Sequence, residues 1–95
     1  MATYLEIADL RESKDFGRRI DVALLVSARA TLNNANATPD AKAFAKAVMT
    51  SGIQGETRQR LINRVAVSVA VLAAGSTATD TQIQTVVDNE FLSLA

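Results

Sequence analysis

Apolar residues recur along this chain at helical rather than strand spacing, and they gather most densely in two places. Between Ser13 and Thr31, Phe16, Ile20, Ala23, Leu24 and Ser27 fall on one face of a helix, while Val22, Leu25 and Val26 form most of another. From Val22 to Ala28 such a helix is apolar nearly all round, a pattern that predicts burial on several sides. In a chain this short, a neighbouring subunit is one candidate for the extra cover. A weaker copy of the pattern returns as Asn63-Arg64-Val65-Ala66-Val67-Ser68-Val69-Ala70-Val71-Leu72-Ala73-Ala74. Its valines alternate as in a strand, but no turn residue separates them from the helical run that starts near Glu56. A lone strand would also leave its backbone groups unpaired, so the reading is helix.

Polar punctuation divides the remainder. Thr3 with Glu6 forms a capping box for a short first helix through about Arg11, and residues 1–12 are that helix or a docking arm. Ser13 caps the main helix, with Asp15 in its first turn and four residues before Arg19, the spacing of an ion pair. Asn33-Asn34-Ala35-Asn36 is a loop. Thr38-Pro39-Asp40 starts a third helix whose Ala41, Phe44, Ala45 and Val48 share a face opposite Lys42 and Lys46. That helix stops near Ser51-Gly52. Gly75-Ser76-Thr77 ends the fourth helix, and Thr79 with Gln82 boxes the start of the last. The last helix carries Ile83, Val86, Val87, Phe91 and Leu94 along a narrow stripe. The expectation is a single all-α domain over residues 1–95, a small bundle of four to five helices with two central apolar helices and terminal arms.

Composition sharpens this in one respect. Hydrophobic residues make up 48% of the 95, a globular proportion. Most are Ala and Val, which allow close helix approach but bury little area each. Chains of this kind tend to complete their burial against a partner. Ten basic and ten acidic residues cancel, arguing against a dedicated nucleic-acid binder. Their distribution is uneven: residues 1–17 carry four acids and two bases, residues 18–64 eight bases and three acids, and residues 65–95 three acids alone. Acidic ends around a basic middle suit head-to-tail contact between identical subunits, or are ordinary surface charge.

The same composition removes whole classes of chemistry. Without His or Cys there is no Ser-His-Asp or Cys-His machinery, no disulfide framework, and none of the commonest zinc ligands. Walker and dinucleotide glycine patterns do not occur. Asp88 and Glu90 lie two apart on a helix and point to different sides, so they make a poor acid–base or metal pair. Arg58, Arg60 and Arg64 have no aromatic stacking partners, and read as a solvated face or a contact for an acidic protein. Gly52-Ile53-Gln54-Gly55 has the spacing of a backbone-clamping Gly-x-x-Gly loop, but neither flanking strands nor basic residues within it. Asn36-Ala37-Thr38 fits a glycosylation acceptor, yet Pro39 follows and the opening Met1–Glu6 lacks the regions of a signal peptide. Both apolar runs fall short of the ~20 residues that span a bilayer. The expectation is a non-enzymatic chain without cofactor, metal or membrane, made in a reducing cytoplasm. Its best candidates for a subunit interface are Val22, Leu25, Val26, Val67 and Val71.

One ordered set of features is more specific. Ser13, Phe16 and the run Arg18-Arg19-Ile20-Asp21-Val22-Ala23-Leu24-Leu25-Val26-Ser27-Ala28 are followed, after a polar loop, by Thr38-Pro39 and Phe44-Ala45-Lys46-Ala47-Val48. This order resembles the small helical head–tail connector (neck or adaptor) proteins of tailed bacteriophages, as does the closing Asp80-Thr81-Gln82-Ile83-Gln84-Thr85-Val86-Val87. The departures are Asp21 and Leu24-Leu25 where that family favours Val and Ala, and Phe44 at its usual tryptophan position. The resemblance implies a virion protein whose copies form a dodecameric ring beneath the portal. Such a ring links capsid to tail, offers a surface to the next neck or tail protein, and passes DNA through its lumen unread. Two other classes remain beside it: another capsid-associated or tail protein, and a small cytoplasmic regulatory or nucleic-acid-binding helical protein.

Overall fold

The computed structural model describes residues 10–72 and 78–94; within them the chain is helical with short connections and no strand. The elements are α1 (Lys14–Asn33), α2 (Pro39–Ser51), α3 (Gly55–Leu72), α4 (Asp80–Phe91) and a closing 3-10 turn (Leu92–Leu94). Residues 10–12 are also helical, and Ser13 N–H donates to the Leu10 carbonyl at 3.2 Å before α1 begins. The expected cap at Thr3 and Glu6, and the expected end of the fourth helix at Gly75-Ser76-Thr77, lie outside the described residues.

Local chemistry sets the helix starts. Ser13 Oγ accepts from Phe16 N–H at 3.2 Å, and Thr38 Oγ1 accepts from Ala41 N–H at 3.1 Å with Pro39 behind it. Thr79 and Gln82 form the full reciprocal box: Gln82 N–H donates to Thr79 Oγ1 at 3.1 Å, and Thr79 N–H donates to Gln82 Oε1 at 2.9 Å. At the other end of α2, Gly52 takes φ +69° and donates its N–H to Val48 O at 2.8 Å. Such a φ suits a residue without Cβ, which is why the chain turns there.

The buried side chains form one continuous core. Phe16, Ile20 and Leu24 of α1 meet Ala45 and Val48 of α2, Leu61, Val65 and Val69 of α3, and Ile83, Val87 and Phe91 of α4. In α3 the buried residues are Leu61, Ile62, Val65, Ala66, Val69 and Ala70, while Val67 is exposed. That is the i, i+4 rhythm of a helix, and it explains how the alternating valines serve here. Phe44 packs edge-on against Phe91, with ring centroids 5.2 Å apart at 66°. The two apolar helices share the core without being each other's main partners. α1 lies chiefly against α2 and α4, and α3 lies chiefly against α4. α1 and α3 meet where Gly17 faces Arg58 and Ile62.

Candidate assembly surface

α1 is split lengthwise. Its inner face is sealed, and includes Ser27, the one buried polar residue of the described core. Ser27 Oγ donates to Asp88 Oδ1 at 2.5 Å. Gln84 Nε2 lies 3.0 Å from both the Ala23 carbonyl and Ser27 Oγ, and 2.9 Å from Asp88 Oδ1. This polar pin fixes the register of α4 on α1, because a slipped α4 would leave Ser27 buried and unpaired.

The outer face is apolar and open: Val22, Leu25 and Val26 are 59%, 46% and 51% exposed. Val22–Ala28 is thus buried on its inner side by its own chain, and its outer side is the one that the expected neighbouring subunit would cover. Among the described residues α2 and α4 both pack on the inner side. Two shallow grooves, each about 370 Å³, run along the flanks of the exposed ridge. One lies toward α4, with Val22, Ala23, Val26 and Ile83 as its apolar lining and Arg18, Arg19, Asp80 and Gln84 as its polar lining. The other continues past Leu25 to Arg29, Ala30 and Asn33.

The charges around the ridge differ in how they are held. Arg19 is fixed by donating to Asp80 Oδ1 at 3.0 Å and to the Ala78 carbonyl at 2.7 Å. The expected Asp15–Arg19 pair thus gives way to a partner sixty-one residues on, because the Ala78 carbonyl adds a second acceptor at the same place. Arg18 and Arg29 stay exposed at the two ends of the ridge. Neither figured among the expected interface residues. The signal for Arg29 was available, since it follows Val22 by seven positions and so shares its face.

The basic cluster of α3 is mostly used inside the chain. Arg58 makes a paired contact with Asp21, at 3.1 Å and 3.0 Å, and Arg64 reaches Glu90 at 2.9 Å. The hydrogen bond to Asp21, aided by its charge, holds the Arg58 guanidinium above its ordinary pKa range despite the opposing effect of burial. Arg60 is exposed and has no ion pair among the described residues, so the cluster is not the uniformly open face its spacing suggests. Asp88 and Glu90 do diverge, the first to α1 and the second to α3.

Of the expected interface residues, Val22, Leu25 and Val26 come together on one ridge. Val67 sits elsewhere, 50% exposed in a hollow with Asn63, Arg64, Ser68 and Glu90. Val71 belongs to α3, but its side chain lies outside the described residues. Among the described residues no three His, Cys, Asp or Glu side chains gather as a metal site, and no helix is long and apolar enough to cross a membrane. No protein family, curated protein or solved structure matches the chain.

Proposed function

We propose that this chain is a structural virion protein, a head–tail connector whose copies form a ring beneath the portal and join capsid to tail. The observation that carries this reading is the open Val22–Leu25–Val26 ridge, which lies within a segment that resembles the connector family. A ridge of three large apolar residues, charged at its ends and backed by a rigid helix, is suited to burial between subunits. Val67 offers a second, separate apolar point, and two different patches are what a head-to-tail ring contact needs. The role is non-catalytic and needs no cofactor. DNA passes through the lumen without being read, and the protein moves from host cytoplasm into the neck of the virion.

Mixing the purified chain with portal and imaging the product tests the reading. Rings stacked coaxially on the portal are the expected result. Binding to capsid faces instead would point to another capsid-associated role. A steep salt-dependent affinity for DNA without portal binding would point to a nucleic-acid-binding protein and overturn the connector assignment.

A further inference from the structure

We propose that, before any ring forms, the exposed ridge of α1 is covered by the same ridge of a second copy, the two helices running antiparallel about a two-fold axis. The inference rests on the reading that this face joins copies, and it adds which surface of the partner lies over it. The register of α4 on α1 makes the pairing self-complementary. Arg19 meets Asp80 and Ser27 meets Asp88, while Gln84 between them reaches the Ala23 carbonyl. Each of these pairs is separated by 61 residues, so α1 and α4 run parallel and in step. The ridge bears the exposed Arg18 and Arg29 in line with Val22 and Leu25, at the three- and four-residue spacing of one helix face. Beside it α4 bears the exposed Asp80 and Asp88, and residues 80–94 contain no base. Each copy thus presents a basic line flanked by an acidic one.

Charge selects the orientation. In a parallel two-fold pairing Arg18 and Arg29 each face their own counterpart, so like charges oppose at both ends, and the two α4 helices lie on opposite sides of the joined ridges. An antiparallel pairing keeps both α4 helices on one side. Centred at the level of Leu24, it sets Val22 over Val26 of the second copy with Leu25 near the middle, and the apolar side chains of both ridges leave water together. Arg29 then stands at the level of the second copy's Arg19, and so of its Asp80, whose side chain is 90% exposed. Arg18 stands about 4.5 Å along the axis from the level of the second copy's Asp88, within the reach of an arginine side chain. Glu90, the remaining acid of α4, is turned to Arg64 on α3. A self-complementary contact of this kind is used up at two copies. Pairing therefore shields the ridge from open-ended self-association, and the pair must separate before either ridge enters a ring.

Sedimentation equilibrium of the purified chain tests the pairing. The expected result is a monomer that becomes a dimer with a Kd between about 10 μM and about 1 mM, weak because the contact is small, and no larger species. Arg29→Glu should weaken the dimer at least about tenfold, and so should Asp80→Lys. An equimolar mixture of the two variants should associate again, because the introduced charges face each other at one end while the native Arg29 and Asp80 meet at the other. Orientation is read separately with every paired charge intact. The chain has no cysteine, and Lys14 is exposed at the start of α1, so Lys14→Cys takes a single spin label. Labels in the antiparallel pair lie at least about 30 Å apart, whereas those in a parallel pair are neighbours. A monomer at every concentration up to about 1 mM, growth beyond the dimer, or a short label distance overturns the proposal. The portal-binding experiment separates the two readings. Rings on the portal from a chain that never pairs would remove the pair and keep the connector, and pairing without rings would do the reverse.

Discussion

The two faces of α1 are built from the same kinds of residue and meet opposite fates. Phe16, Ile20, Leu24 and Ala28 are sealed against three other helices, whereas Val22, Leu25 and Val26 on the far side stay open to solvent. Side-chain type does not distinguish them, because a Leu sits on each face in adjacent positions, Leu24 and Leu25. What differs is the rest of the chain. α2 and α4 both pack on the inner side, and among the described residues no element covers the other. The inner face is thus accounted for by folding, while the outer face costs solubility without stabilising the monomer. Residues kept under that cost are the ones to examine for function.

The largest test of this division is on the inner face. Ile20→Ala removes a fully buried side chain from the centre of the core and should cost about 3 kcal/mol in denaturant unfolding. Val22→Ala, two residues away, should change stability by less than about 0.5 kcal/mol. Equal losses at the two sites would mean that the ridge is covered within a single chain after all, and the contrast between faces would be gone.

Next comes a substitution that should affect assembly and leave folding intact. Leu25→Asp places a charge on a surface that is already wet, so the isolated chain should unfold within about 0.5 kcal/mol of the parent. Burial of that carboxylate against a neighbour would be costly, so self-association and ring formation on the portal should fall away in native mass measurements. Val26→Asp should behave alike. An assembly that tolerates either variant would move the interface elsewhere, with the Val67 hollow the first place to look.

These contrasts also explain what the sequence could and could not disclose. The helix starts at Ser13, Thr38 and Thr79 were legible because a cap is written within four residues and depends on nothing distant. The valine run from Val65 to Val71 was legible as helix by excluding a partnerless strand, and its burial at Val65, Ala66, Val69 and Ala70 agrees. Long-range polar partners were not legible. Arg19 has a plausible acid four residues before it, but the packing of α4 brings Asp80 and the Ala78 carbonyl to the same guanidinium. Gln84 has no local signature at all, yet it touches three groups around Ser27. The ridge itself is an intermediate case. Periodicity placed Val22, Leu25 and Val26 on one face, but periodicity says nothing about whether a neighbouring helix lies over it.

A smaller effect should separate the polar pin from the apolar seal around it. Ser27→Ala removes the hydroxyl that donates to Asp88 and accepts from Gln84, and should cost about 1 kcal/mol. The loss stays modest because Asp88 is exposed and water can replace the hydroxyl on its carboxylate. Combining Ser27→Ala with Asp88→Ala should cost little more than either alone, the signature of two groups acting on one contact. Full additivity in the double-mutant cycle would mean that Ser27 is tolerated in the core for its size alone.

The smallest effect concerns a close approach of α1 and α3 at Gly17. A Cβ on Gly17 would lie 3.0 Å from Arg58 Nη2 and 3.9 Å from Ile62 Cδ1. Gly17→Ala gains about 1 kcal/mol of helix propensity. It also pushes the guanidinium away from Asp21, weakening an ion pair that at this exposure is worth at most about 1 kcal/mol. The two changes oppose each other, so the variant should be more stable than the parent by only about 0.5 kcal/mol. In an Arg58→Ala background the obstruction is gone, and the same substitution should give the full propensity gain. The difference between backgrounds measures how far Gly17 is kept small to let Arg58 reach across to Asp21. If the gain is identical in both, the close approach of α1 and α3 does not depend on that arginine, and Ile62 becomes the contact to test.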